Sequence, residues 1–542
     1  MQIIFAQILP ETAPLGIPLE AANNATAAKK AGCADVEVAA VFADDAESLT
    51  DQIKTLISSD TAKKAAVFFT FDLQTIALTV KVAEQLKKQI EPPPICVCTN
   101  SISSQDFCGY NTFDYVITGE SETAVTELLS NLNATKQTVF IQGKAQNCDI
   151  LFSPWLEKTL DPVDYNGVVW ELSRGCPLPC PFCAKHSNNT KKRHIPLARL
   201  EKELDFFARK KVPDVFVADN VFNFDKERAL KLLSLMQKKL PDAHYQFSVS
   251  ADHMDKQLAQ AFSRISCSLQ INLVSSNPNV MKKCGMSFDK KQFARKISLL
   301  NDYGLTFGFN LVYGLPSDTL PSFRETLDYA LSLYPNHLEF YRTSVIPGTK
   351  LFADAESHSL KFSHEPPFFV QLTPTFSELD LLKAENLAFA CSVFYTAGRA
   401  VPWFLSVIHP LRIKPSQFFS DFAEWLRCNN CAKSTGFNPD KQPHTEIEKI
   451  QLLFLELKYE EKKLSYAFPV VKDVVRLNGA LSRLVGEGEE TTLELTFHPD
   501  DILCGSANNV LAFVEEACSE PCTVRLFNNN GSPDYEILGA NL

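Results

Sequence analysis

Three cysteines lie within one short segment of this chain, Arg174-Gly-Cys-Pro-Leu-Pro-Cys-Pro-Phe-Cys183, directly after an apolar, strand-like run. Thiolates this close together bind either zinc or an iron–sulfur cluster. A structural zinc site needs a fourth protein ligand to close its tetrahedron. A [4Fe-4S] cluster held by Cys176, Cys180 and Cys183 instead leaves one iron open to a small molecule. The spacing therefore predicts a cluster site at the end of a strand, with closed zinc as the alternative.

Composition limits the classes of function. The chain has 542 residues, which is long enough for several domains. Its net charge of −11 argues against a nucleic-acid partner. No apolar run is long enough for a membrane span, and the first residues lack the pattern of a secretory signal. Sixteen scattered cysteines indicate reduced thiols, so we expect the cytoplasm. The basic run Lys191-Lys192-Arg193-His194 is interpreted as a solvated loop.

Residues 1–150 alternate between strands and helices, which predicts an α/β fold with a Rossmann-like parallel sheet. Ligands of such sheets bind at the carboxyl ends of the strands. The predicted strands are 2–6, 36–41, 65–70, 94–99 and 115–118, and the predicted helices are 19–31, 46–59, 75–89 and one from 122.

A second alternating series occupies residues 151–370 and predicts a partial (β/α)6 barrel, whose active groups would lie at the strand C-termini. Its predicted strands are 168–173, 214–218, 245–250, 267–274, 305–313 and 338–346. Residues 371–542 predict a mainly helical accessory domain, with helices at 377–397 and 415–427 and a β tail at 491–497 and 523–527.

The cysteine spacing resembles the signature of the radical S-adenosylmethionine (radical SAM) superfamily. Further runs resemble a branch of it that carries an N-terminal cobalamin-binding domain and its own C-terminal domain. These runs are Glu171-Leu-Ser-Arg-Gly-Cys176, Val217-Ala-Asp-Asn-Val-Phe-Asn223, Leu269-Gln270, Tyr313-Gly-Leu-Pro316, Tyr334-Pro-Asn-His337, Ile346-Pro-Gly-Thr349, Pro366-Pro367 and Ala400-Val-Pro-Trp403.

In the first domain, two runs are similar to the cobalamin domain of that branch, Pro14-Leu-Gly-Ile-Pro-Leu-Glu-Ala-Ala22 and Phe113-Asp-Tyr-Val-Ile-Thr-Gly-Glu-Ser-Glu122. The resemblance implies that the corrin lies against the barrel mouth with its nucleotide tail in the sheet crevice. All histidines lie at or beyond His186, so this domain offers no imidazole as a lower axial ligand. The implied cobalamin residues are Gly16, Thr70, Gly119, Glu120 and the pair Thr99-Asn100, which stands where the branch usually has Gly-Gly.

In the barrel, the resemblance implies that S-adenosylmethionine binds the open iron. Ser248 and Ser250 stand where the branch has a glutamate and an arginine, and Asn310 stands where it has an aspartate. Phe182 is expected to shield the cluster or stack near the adenine, with simple packing as the alternative. Asp219 is expected to contact the amino group of the cosubstrate, with capping of the following helix as the alternative, a role also open to Asn223.

The first hypothesis is a cobalamin-dependent radical SAM methyltransferase that acts on an unactivated carbon of a small-molecule or peptide substrate. It would need an electron donor of the flavodoxin or ferredoxin type. The second hypothesis is a radical SAM enzyme with a vestigial cobalamin domain, and the third is a metal-stabilised binding protein without catalysis. The pairs Cys428/Cys431 and Cys518/Cys522 lack companion ligands and are interpreted as scattered thiols.

Overall fold

The computed structural model describes residues 1–58, 64–88, 92–100, 102, 107–184, 191–529 and 531–538. The predicted helix ends at 59 and 89 lie outside the described residues.

The first sheet is parallel throughout and has the order β2-β1-β3-β4-β5-β6. Its third strand is buried along its whole length, as expected for a parallel sheet covered on both faces. The strands are β1 Gln2–Leu9, β2 Val36–Phe42, β3 Ala65–Phe71, β4 Ile95–Thr99, β5 Tyr115–Thr118 and β6 Val139–Gln142. The helices are α1 Leu19–Lys30, α2 Ala46–Ser58, α3 Ile76–Lys87 and α4 Glu122–Leu129.

The second sheet is a six-stranded parallel half-barrel in chain order. Its strands are β7 Val168–Trp170, β10 Asp214–Val217, β11 His244–Val249, β12 Cys267–Val274, β13 Thr306–Tyr313 and β14 His337–Arg342. A short ribbon, β8 Ser173–Arg174 with β9 Arg193–His194, follows β7. The helices are α5 Leu197–Lys210, α6 Lys226–Lys239, α7 Lys256–Phe262, α8 Pro278–Lys283, α9 Lys290–Asp302 and α10 Leu320–Leu331.

Strand β14 is an edge strand of the half-barrel, and later parts of the chain cover it. The Thr396 hydroxyl accepts a hydrogen bond from Leu338 N at 3.1 Å, and further along the strand Arg342 Nε donates to Val370 O at 2.9 Å. An uncovered edge would expose unpaired backbone groups and invite another strand. Thr396 belongs to a π-helical turn, Ser392–Ala397, that continues the α-helix Glu378–Cys391, so the predicted helix 377–397 is found with a wider last turn where it contacts the barrel.

The last part of the chain is mainly helical and ends in a small antiparallel sheet. Two of its long helices, His444–Glu461 and Phe468–Glu487, were not predicted from the sequence. The helices are α11 Glu378–Cys391, α12 Phe404–Ile408, α13 Pro415–Cys428, α14 His444–Glu461, α15 Phe468–Glu487, α16 Pro499–Leu503 and α17 Val510–Glu516. The remaining strands are β15 Lys361–Phe362, β16 Val370–Leu372, β17 Thr491–Leu495, β18 Cys522–Asn529 and β19 Ser532–Leu538.

The predicted fold class is confirmed: a Rossmann-like sheet, a partial barrel and a helical region with a β tail follow one another. The domain boundaries at 150 and 370 stay a prediction. Among the described helices, none has the length and apolar character needed to cross a bilayer.

Candidate functional site

The cysteine segment begins directly after β8 and lies between the two strands of the ribbon. Gly175 has a φ of +84°, in the left-handed region that suits glycine, and it turns the chain immediately before Cys176. Cys176 is buried, and Cys180 and Cys183 are half-buried. Burial raises the pKa of the Cys180 thiol to about 12, with smaller contributions from Cys183, Cys176 and Cys284.

In the described part of the chain, no three side chains of the usual ligand types converge to hold one metal ion. A cubane cluster does not require such convergence, because it takes each cysteine on a different iron. Three thiols from one turn at the carboxyl edge of a sheet are the donor set that an iron–sulfur cluster uses. The residues present therefore fit a cluster better than a closed zinc site.

Asp219 anchors the start of the cysteine segment. Its Oδ1 accepts hydrogen bonds from Leu172 N at 3.0 Å and Ser173 N at 2.9 Å, and Oδ2 accepts from the Ser173 hydroxyl. Lys192 Nζ lies 3.4 Å from the same carboxylate. The capping alternative is wrong, because Asp225 caps α6 by accepting from Arg228 N. The contact of Asp219 with the cosubstrate stays a prediction.

Phe182 lies between two small apolar clusters. One contains Val312 and Leu315 at the end of β13, and the other contains Val345 and Leu351 after β14. Leu351 N also donates to Pro181 O at 2.9 Å. The cysteine segment therefore reaches across the barrel mouth to the last two strands, and Phe182 is a packing residue there; its position relative to an adenine stays a prediction.

The inner face of the half-barrel is polar. Along β11 buried residues alternate with more exposed ones such as the partly buried Ser248. In β13, Asn310 is partly buried within a stretch that is otherwise buried from Phe307 to Tyr313. Both polar side chains therefore line the interior of the half-open barrel. Ser250 follows β11, and its backbone N and O are both held by the Asn223 side chain at 2.9 Å. Asn223 is therefore a clamp between two barrel loops and not a helix cap.

A chain of hydrogen bonds crosses this inner face. Asn310 accepts from Gln270 and donates to Asn272 at 2.8 Å, and Gln270 meets the ring of His337. His337 occupies space that Gly308 leaves empty, since a Cβ there would lie 2.2 Å from its Nε2. Such polar lining differs from the branched apolar filling of a closed barrel, and it suits a ligand in the interior.

A cleft lies between the carboxyl edge of the first sheet and the start of the cysteine segment. It encloses about 190 Å³. Five of the residues predicted to bind cobalamin line it: Thr70, Thr99, Asn100, Gly119 and Glu120. From the barrel side it is lined by Glu171, Ser173, Arg174, Gly175, Ala218 and Asn220. The sheet edge and the cysteine segment therefore face the same space.

Of the residues predicted to bind cobalamin, Thr70 is placed to contact a ligand in the cleft and Gly16 is not. The Thr70 hydroxyl is buried and has no hydrogen-bond partner among the residues that the structure describes, although buried polar groups are nearly always paired. It is therefore available to a molecule in the cleft. Gly16 does not line the cleft; it turns at φ +61°, where a Cβ would lie 2.6 Å from the Phe42 ring.

Charged side chains from both sides meet at the cleft. Arg174 lies 2.6 Å from Glu122 and 2.9 Å from Glu171, and Arg193 pairs with Glu120. Burial alone would raise the pKa of Glu122, but Arg174 and its hydrogen bond lower it overall. Burial raises the pKa of Glu171 despite the same arginine.

The interpretation of residues 191–194 as a solvated loop is wrong beyond its first residue. The Lys192 side chain is 6% exposed and that of Arg193 is 16% exposed, because both pair with buried carboxylates.

Comparison with known proteins gives the class. Residues 170–330 match the model of the radical SAM superfamily. An uncharacterised methyltransferase of Pyrococcus horikoshii is 22% identical over 270 residues, which cover 46% of this chain and 59% of that protein. The chain spans about half the length of the curated relatives it matches. Residues 170–330 of the chain thus match a radical SAM domain, as the cysteine spacing predicted.

Two solved structures share the fold. OxsB, a cobalamin-dependent S-adenosylmethionine radical enzyme solved with aqua-cobalamin, aligns with 96% of this chain and 85% of its own at 13% identity and a TM-score of 0.57. TsrM from Kitasatospora setae, a radical S-adenosylmethionine methyltransferase, aligns with 67% of this chain and 78% of its own at 15% identity and a TM-score of 0.56. The predicted arrangement of a cobalamin-type domain before the barrel is confirmed as a fold.

Sequence reasoning missed the residues whose partners are distant in the chain. Arg174, Arg193, Glu122 and Glu171 were quoted within motifs or runs but received no role. The one available signal was charge inside otherwise apolar segments, such as the glutamate that follows Trp170.

Proposed function

We propose that this protein is a cobalamin-dependent radical SAM methyltransferase. Its cluster would be held by Cys176, Cys180 and Cys183, its cosubstrate would lie in the polar barrel interior, and its corrin would lie in the cleft. The methyl acceptor would be an unactivated carbon of a small molecule or peptide.

One observation carries the proposal: the carboxyl edge of the first sheet and the residue preceding the first cysteine line one cleft. Thr70, Thr99 and Gly119 come from the sheet, and Gly175 comes from the cysteine segment. A ligand held at the sheet edge would therefore lie next to the cluster. Ligands of open parallel sheets bind at this edge.

The chemistry of the cleft favours a corrin over a flavin or dinucleotide. Four glutamates line it, Glu20, Glu120, Glu122 and Glu171, against Arg174. Glu20 lies in the first turn of α1, where a phosphate-binding fold would present bare N–H groups to its ligand. Asparagines and Gln142 complete the lining. Carboxylates and amides complement the amide side chains of a corrin and repel a doubly charged phosphate.

When bound, the cluster would supply the electron for cleavage of S-adenosylmethionine, and cobalamin would supply the methyl-carrier chemistry. The residues of this chain position and shield these groups. Asp219 fixes the backbone that leads into the cysteines, and Phe182 pins the far side of that segment to the barrel rim. The interior amides orient the cosubstrate, and the cleft excludes water from the space between the two cofactors.

The decisive experiment is an anaerobic preparation reconstituted with iron, sulfide and hydroxocobalamin. We expect a cluster absorption, a corrin absorption, and 5′-deoxyadenosine on addition of dithionite. Cys176→Ala should lose iron and nucleoside, whereas Cys428→Ala, which removes an exposed thiol elsewhere, should keep both. Methyl-labelled S-adenosylmethionine would report transfer to a product. Iron and nucleoside release that persist in Cys176→Ala would refute the assignment.

A second experiment tests the cleft directly. Thr70→Val removes the unpartnered hydroxyl without changing side-chain volume, so hydroxocobalamin should bind about tenfold more weakly while thermal stability is kept. Thr79→Val is the matched control, since the Thr79 hydroxyl donates to Thr75 O at 3.1 Å inside α3. It should lower stability slightly and leave corrin affinity unchanged. Equal affinities in all three proteins would contradict this role for Thr70.

The cleft volume favours the second candidate, a radical SAM enzyme with a vestigial cobalamin domain. The enclosed 190 Å³ is less than the roughly 300–1,000 Å³ of ordinary ligand pockets, and ion pairs cross it. Cluster and nucleoside without bound corrin would select this candidate. Zinc at one per chain without iron would instead select a non-catalytic binding protein. The electron donor and the cytoplasmic location stay predictions.

A further inference from the structure

The two ends of the cysteine segment are held together by a pair of arginines. Arg174 stands two residues before Cys176, and Arg193 follows Cys183 further along the chain, in β9. The two are directly opposite in the antiparallel β8–β9 ribbon. All three predicted cluster ligands lie between them, so any movement of these arginines moves both ends of the segment.

Both arginines bind the loop that follows β5 in the first sheet. Arg174 reaches Glu122 at 2.6 Å and Glu120 at 3.5 Å, and Arg193 Nη1 donates to Glu120 at 3.1 Å. Glu171 completes the group at 2.9 Å from Arg174. We call these five side chains the arginine clasp. Each is at most 22% exposed, so the clasp is shielded from solvent and from screening by salt.

We propose that the arginine clasp couples occupation of the cleft to the geometry of the cysteine segment, so that corrin and cluster strengthen each other's binding. This inference rests on the proposed function, because it takes the corrin to lie at residues 119–122. Arg174 is a positioning residue in this account: it contacts the cleft and fixes the first cysteine.

The physical reason is the cost of separating buried charges. A ligand at the sheet edge orders the carboxylates of Glu120 and Glu122 in the positions in which they pair with the arginines. Their guanidinium partners must follow, since a buried charge left without its partner is strongly unfavourable. The bonds are charge-assisted, and an arginine holds its carboxylate in a fixed geometry. Binding coupled in this way is reciprocal: whatever the cluster does to corrin affinity, the corrin does to cluster affinity.

The test compares hydroxocobalamin affinity in two forms of each protein, one with the cluster reconstituted and one stripped of iron by a chelator. In the unchanged protein we expect the cluster to tighten corrin binding about tenfold, within the usual range of such coupling. In Arg174→Gln this ratio should fall to near one. The control is Lys30→Gln, which removes a different ion pair between the first domain and the residues after it, Lys30–Glu157 at 2.5 Å, and should keep the tenfold ratio.

A ratio near one in the unchanged protein, or an undiminished ratio in Arg174→Gln, overturns the proposal. If Arg174→Gln does not fold, Glu122→Gln breaks the same pair from the other side, and its ratio must fall instead. If no form binds corrin, the proposed function fails, and the coupling is then read from hydrogen exchange of residues 119–129. Cluster loading should slow that exchange in the unchanged protein and not in the variant. Equal exchange with and without cluster would overturn the coupling by itself.

Discussion

Replacing Asp219 is the sharpest test of how the cysteine segment is supported. Asp219 is 5% exposed and accepts from two backbone N–H groups at 3.0 and 2.9 Å. Asp219→Ala would leave both donors buried without a partner, at about 1–3 kcal/mol each, and would strand Lys192. We therefore expect a loss of about 3–5 kcal/mol, the size seen when one partner of a buried ion pair is removed.

For a barrel of about 200 residues, that loss corresponds to a fall of roughly 6–20 °C in its melting temperature. Asp219→Asn is the matched variant, because it keeps an oxygen for the backbone donors and loses only the charge, so its loss should be about half as large. The measurements are the thermal transition followed by circular dichroism and the iron content after reconstitution. A fall of less than 2 °C together with full iron content in Asp219→Ala would refute the reasoning.

Three further predictions concern buried groups away from the cleft. Burial lowers the pKa of His444 to about 4. The free energy of unfolding should therefore be unaffected by this histidine above about pH 6.5 and should fall by about 3 kcal/mol as the pH drops towards 4. His444→Gln should flatten this part of the profile of urea midpoint against pH. Burial raises the pKa of Asp318 from 3.8 to about 6, so the native state loses stability as the pH rises through 6. Asp318→Asn should match the unchanged protein below pH 4 and exceed it at pH 8 by up to about 3 kcal/mol. Gly308→Ala would force a Cβ into the His337 ring and should lower the melting temperature by several degrees. Adding His337→Ala to this variant should restore the melting temperature.

Each of these has a clear contrary outcome. Parallel pH profiles for a variant and the unchanged protein would show that the histidine or the aspartate does not titrate differently on folding. If the double variant Gly308→Ala with His337→Ala is as unstable as Gly308→Ala alone, His337 is not the side chain that Gly308 accommodates.

Local patterns in the sequence determined the layers of this protein. Strand and helix periods are properties of neighbouring residues, so most strands of both sheets and helices such as Leu19–Lys30 could be predicted close to their observed bounds. The edge strand Val139–Gln142 of the first sheet was not predicted. The apolar spacing of Phe468–Glu487 carried the same kind of signal and was overlooked. Because parallel strands align their carboxyl ends, Thr70, Thr99 and Gly119 could also be predicted to share an edge.

Tertiary structure alone decided which charges are buried. Arg174 and Glu122 are separated by 52 positions, and Arg193 and Glu120 by 73. No local period links residues so far apart. The same basic run can be a solvated loop or one end of a buried network, and only the packing of the first sheet against the barrel selects between them. The three cysteines identified the chemistry from sequence, but the geometry that supports them comes from carboxylates and arginines that folding brings together.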